Sequence, residues 1–161
     1  MRTDSPVTPA SDTRVVEFMR GEIHAPRPLP FFDVPVSAGF PSPAEDTQDI
    51  RLDLNDLLVK HPEATFFVRV QGESMLGAGI HSGDILVVDR SLDAADGSIV
   101  VAVVDGEFTV KRLNVVGRRV RLMPENTAFP PLDITPEHAF QVWGVVTGVV
   151  RNFLSNGRFR R

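Results

Sequence analysis

The chain has no cysteine, which removes disulfides, a thiol nucleophile and thiolate metal sites together and is compatible with a reducing cytoplasm, the expected location. No apolar run approaches the ~18 residues that a membrane span requires, and residues 1–10 are polar and proline-bearing, so a soluble, unexported protein without a membrane partner is expected. An excess of basic charge is lacking as well. The net charge is -4 and the pI near 5.5, whereas proteins that grip nucleic acid concentrate Lys and Arg, so direct sequence-specific DNA binding is not expected. The local exception is Arg151, Arg158, Arg160 and Arg161, read as a solvated basic terminus. His24, His61, His81 and His138 show neither metal-ligand spacing nor a setting that suggests a Ser-His triad, so no metal and no cofactor are expected.

What is present changes character along the chain. Eight of the thirteen prolines lie at or before Pro43, so the first quarter cannot sustain helices or central strands for long. It reads as an arm, 1–45, in which Ser11 or Asp12 caps a short helix ending at Gly21, with Val15, Val16, Phe18 and Met19 as its apolar patch. Farther on, Leu52, Leu54, Leu57 and Leu58 suggest a brief helix or turn before His61-Pro62. Short β-branched and aromatic runs then repeat at 66–70, 85–88, 99–104, 108–113, 120–123 and 142–150, separated by turn signals such as Ser82-Gly83-Asp84, Asp96-Gly97, Val116-Gly117 and Pro130-Pro131. The pattern predicts a compact, mainly β domain over 46–155, with a tail at 156–161.

The sharpest local expectation is a hairpin at Asp105-Gly106, because this pair tolerates the positive φ angles of a type I′ turn. A two-residue loop sets Val104 against Glu107, Ala102 against Thr109 and Val100 against Lys111, which puts Val100, Ala102, Val104, Thr109, Lys111 and Leu113 on one side of the ribbon. Lys111 thus stands among apolar neighbours. Such a lysine either carries its ammonium to water from the sheet edge or is buried, in which case its pKa falls and its neutral amine becomes a base. The segment Gln71-Gly72-Glu73-Ser74-Met75 follows a strand directly and presents Ser74 beside a tight turn. A serine there is ordinarily a turn residue; as a nucleophile it needs a base, which the histidines do not offer.

Several motifs, in order, resemble the UmuD-type members of the LexA/UmuD serine-lysine peptidase family. They are Ala38-Gly39 followed by Phe40-Pro41-Ser42-Pro43-Ala44, then Leu52-Asp53-Leu54-Asn55-Asp56-Leu57-Leu58, Gly72-Glu73-Ser74-Met75, Asp105-Gly106-Glu107-Phe108-Thr109-Val110-Lys111-Arg112-Leu113 and Trp143-Gly144-Val145-Val146. The likeness spans residues 31–153. It implies a LexA-like peptidase domain with a flexible N-terminal arm, with Ser74 as nucleophile, Lys111 as general base and the Ala38-Gly39 bond as the site of self-cleavage. Ala38 departs from the cysteine of the enteric UmuD, while Ala-Gly is the LexA form of the bond. Backbone N–H groups of Glu73 and Ser74 are the expected oxyanion donors.

The resemblance also implies a homodimer, a RecA filament on single-stranded DNA as trigger, and a UmuC-type subunit of an error-prone translesion polymerase as partner of the trimmed chain. Alternatives are a LexA-like repressor relative, for which the arm leaves no room for a DNA-binding domain, and a non-catalytic polymerase-binding module, which has no need of Ser74, Lys111 and Ala38-Gly39 together. A signal-peptidase-like enzyme requires a membrane anchor that the sequence does not offer.

Overall fold

The computed structural model describes residues 10–21, 25–30 and 51–154. Its strands are β1 (Arg14–Arg20), β2 (Leu29–Pro30), β3 (Arg51–Leu52), β4 (Thr65–Gln71), β5 (Ile85–Asp89), β6 (Ile99–Val104), β7 (Glu107–Val116), β8 (Arg119–Met123), β9 (Leu132–Ile134) and β10 (Phe140–Val150). One short α-helix, α1 (Leu54–Leu58), precedes β4. Eight strands form one antiparallel sheet in the order β1-β4-β5-β10-β6-β7-β8-β9, and β2 pairs with β3 separately. The mainly β expectation is met, and all six sequence-predicted strands are present. Among the described residues, no helix is long and apolar enough to cross a membrane.

The expected hairpin forms with the expected register: Val104 pairs with Glu107, Ala102 with Thr109 and Val100 with Lys111. Asp105 and Gly106 have φ of 51° and 86°, as a type I′ turn demands. The brief leucine-rich helix also forms. Asp53 caps it by accepting from the Asn55 N–H, while its second carboxylate oxygen accepts from the backbone N–H of Arg27, tying residue 27 to the domain.

One expectation is overturned. Residues 14–20 are not a helix capped by Ser11 or Asp12; they are β1, paired antiparallel with β4 from Arg14 opposite Gln71 to Arg20 opposite Phe66. A bulge lies between Val15 and Glu17. The β-branched and aromatic side chains of Thr13, Val15, Val16 and Phe18 suit a strand better than a helix. Pairing with β4 also gives the backbone a ladder that an isolated helix of this length would have lacked. β1 and β9 are the two edges of the sheet, the positions in which a proline-rich neighbourhood is tolerated.

The period-two alternation of strand side chains divides β6 between two apolar clusters. Val101 packs with Val68, Val70, Met75, Ile80, Leu86, Val88 and Val110, and Val100 and Ala102 pack with Leu113 and Leu122. The sheet curls, so that the residues just before β1 reach β7: Val110 N–H donates to the Thr13 carbonyl at 3.1 Å. That curl brings three distant stretches of chain to one cleft.

Candidate active site

Ser74 and Lys111 meet across that cleft. Ser74 sits on the loop leaving β4, where it is wholly buried. The loop is fastened on both sides of the serine: Glu125 N–H donates to the Ser74 carbonyl at 2.8 Å, and the Asn126 side-chain amide donates to the Glu73 carbonyl at 2.9 Å. Met75, fully buried in the larger apolar cluster, anchors the next position. The hydroxyl is therefore held by a packed loop rather than by a mobile turn.

Lys111 projects from β7, and 5% of its surface is exposed. It does not reach water from the sheet edge. Its Nζ donates to Thr109 Oγ1 at 2.9 Å and lies 3.3 Å from both Ser74 Oγ and the Val110 carbonyl. Burial pushes its pKa below the ordinary lysine value, and the neighbouring Asp12 carboxylate opposes that shift by favouring the ammonium. Low accessibility, contact with a hydroxyl and a depressed pKa are the conditions under which a lysine acts as a base.

The third stretch at the cleft was not foreseen. Residues 11–13 cross it: Lys111 Nζ bonds Asp12 Oδ1 at 2.5 Å, Thr13 N–H donates to Ser74 Oγ at 2.9 Å, and Glu73 N–H donates to the Ser11 carbonyl at 2.7 Å. One of the two expected oxyanion donors, Glu73 N–H, is thus engaged by a peptide carbonyl. Gly72, at φ 114°, permits this approach, since a Cβ there would collide with the Asp12 carbonyl. The Thr13-Val15-Val16-Phe18 strand signal could have located β1, but nothing local shows that the preceding residues end at Ser74.

Ala38 and Gly39 lie outside the described residues, as does His24. The other histidines are committed elsewhere. His61 bonds Asp89 at 2.6 Å, His81 contacts the Gly79 carbonyl, and His138 accepts from Thr135 N–H. Arg151 is not a loose basic tail: it forms an ion pair with buried Asp84 at 2.6 Å.

Residues 30–147 match the Peptidase S24-like family. The chain is 52% identical to protein MucA of Salmonella typhimurium over 120 residues, 74% of this chain and 82% of MucA. It is 49% identical to protein SamA of Salmonella typhimurium strain LT2 over 75% of this chain and 84% of SamA. Its identity to protein ImpA of Escherichia coli is 46%, over 75% of this chain and 82% of ImpA.

Proposed function

The chain belongs to the Peptidase S24-like family, and from that premise we propose that it is a self-cleaving serine-lysine peptidase that cuts its own Ala38-Gly39 bond. The observation that carries this reading is the 3.3 Å approach of Lys111 Nζ to Ser74 Oγ, with both residues buried. The kinship with MucA, SamA and ImpA, homologues of UmuD, supports a UmuD-type role.

The chemistry follows from the two groups. With the Ala38 carbonyl seated over Ser74, the neutral amine of Lys111 removes the hydroxyl proton and the oxygen adds to the carbonyl carbon. Backbone N–H groups of Glu73 and Ser74 receive the developing oxyanion. The Lys111 ammonium then protonates the departing Gly39 amine, leaving Ala38 as an ester on Ser74. Water, activated by the same lysine, hydrolyses that ester and regenerates the hydroxyl. Lys111 therefore works only when deprotonated, and burial brings its pKa toward the working range.

Each chain cuts once, so the product rather than turnover carries the function. Cleavage trims the protein to residues 39–161, and in a UmuD-type protein the trimmed homodimer serves a UmuC-type polymerase subunit in error-prone lesion bypass. The trigger is a RecA filament on single-stranded DNA, and the compartment is the cytoplasm. Residues 1–38 are the part removed, and 46–155 hold the peptidase.

Incubation with RecA, single-stranded DNA and nucleotide, followed by intact-mass analysis, tests this reading. A new species beginning at Gly39, absent without the filament and absent from Ser74→Ala, is expected. An intact chain under those conditions contradicts the RecA-triggered role.

A further inference from the structure

Residues 10–21 fill a groove that runs from the loop after β4 to the far end of that strand. At one end, the Ser11 carbonyl accepts from Glu73 N–H, the Asp12 carboxylate accepts from the Lys111 amine, and Thr13 N–H donates to the Ser74 oxygen. The Thr13 carbonyl accepts from Val110 N–H at 3.1 Å and from the Thr109 hydroxyl at 3.3 Å, joining this segment to β7. At the other end, Phe18 meets the edges of Phe108 and Trp143 at ring-centroid distances of 4.9 and 5.1 Å. Between them β1 continues the β4 ladder, and Glu17 pairs with Arg69 at 3.1 Å.

An extended segment that continues a strand ladder on one side and is bonded at Thr13 to a second strand on the other is how a peptide substrate binds a strand edge. We propose that this groove is the peptide-binding site of the peptidase and that residues 11–20 occupy it as a built-in plug, which must leave before Ala38-Gly39 can reach Ser74. The proposal rests on the reading of Ser74 and Lys111 as nucleophile and base, and adds what holds them idle.

Two contacts do the holding. Asp12 supplies a carboxylate to the Lys111 amine, which favours the protonated form against the effect of burial and so opposes release of its lone pair to Ser74. Among the described residues, the groups that reach Nζ are Asp12 from the segment before β1, Ser74 from the loop after β4, and Thr109 and the Val110 carbonyl from β7, and of these Asp12 alone is charged. Thr13 N–H meanwhile engages the Ser74 oxygen, so the cleft has no room for a second backbone.

The plug is not fitted as tightly as it could be. Thr13 is fully buried, yet its Oγ1 has no hydrogen-bond partner among the described residues, which opposes docking. Asp12 is half exposed, so water competes for its carboxylate. A plug with such a built-in penalty is releasable.

The chain has two lysines, Lys60 and Lys111, so its lysine side-chain carbon spectrum has two signals and reports the Lys111 titration directly. In the full-length, uncleavable Ser74→Ala chain, adding Asp12→Asn should move the Lys111 midpoint down in pH and leave Lys60 in place. In the cleavable chain, Asp12→Asn should speed self-cleavage below that midpoint by about tenfold or more, the effect of losing one close opposite charge. Phe18→Ala, which loosens the far end without touching Ser74 or Lys111, should speed it too, and Thr13→Val, which removes the unpaired hydroxyl, should slow it. The same Lys111 midpoint with and without Asp12, or a moved midpoint with cleavage rates unchanged in all three variants, overturns the plug. Should the starting chain cut at no pH, the peptidase reading fails, and the lysine titration alone decides whether Asp12 occupies the cleft.

Discussion

Lys111 Nζ lies 3.3 Å from Ser74 Oγ although the residues are 37 apart in the chain. The contact exists because the β6-β7 hairpin points Lys111 inward, while the loop after β4, pinned by Glu125 and Asn126, holds Ser74 against it. A charge that cannot reach bulk water and a hydroxyl that cannot rotate away form a poised pair only if the amine loses its proton.

The rate of self-cleavage should therefore rise with pH and level off once Lys111 is neutral, with a midpoint below the ordinary lysine value of 10.5, because burial depresses this amine. Lys111→Arg keeps the charge and has no accessible neutral form, so it should lose at least about a hundredfold in rate at every pH, the contribution of a general base. Rates followed by intact mass across pH check both.

Acid should destabilise the fold through two buried aspartates. Burial alone would raise both pKa values, but Arg151 and the His81 backbone at Asp84, and Ser91 and His61 at Asp89, outweigh it and hold both carboxyls below 3.8. A depressed folded pKa stabilises the fold above the unfolded value and loses that contribution as pH falls through the folded one. Urea midpoints should thus hold steady on this account at neutral pH and fall below about pH 4, and Asp89→Ala, which strands Ser91 and His61, should cost about 1–3 kcal/mol at neutral pH.

Two glycines of β10 should respond differently to alanine. A Cβ on Gly144 would stand 2.6 Å from Val88 Cγ1 and 3.3 Å from the Asp89 carbonyl, too close for a packed strand, whereas one on Gly148 would make ordinary contact with Leu58 at 3.4 Å. Gly144→Ala should cost about 1–3 kcal/mol and Gly148→Ala under about 1 kcal/mol. Denaturant unfolding of both variants decides it.

The hairpin, its register and the placing of Lys111 were legible in the sequence because they are local: an Asp-Gly pair between apolar runs fixes which residues share a face. The segment at 11–20 was not. Its bulge at Val16 breaks the period-two alternation that marks a strand, and its apolar residues then mimic a helical patch. β9 was missed for a related reason, since it is three residues long, lies at the sheet edge and follows Pro130-Pro131. Asp12 in the cleft is a product of tertiary pairing across 99 residues, which no local pattern carries.

The most direct test is intact-mass analysis of the full chain held at alkaline pH without any partner, alongside Ser74→Ala and Lys111→Ala. Conversion of the wild-type chain into a 38-residue fragment and a 123-residue chain beginning at Gly39, with both variants left whole, is the expected result. A wild-type chain that stays whole, or a variant that is cut at the same bond, contradicts the assignment of Ser74 and Lys111 as the groups that break it.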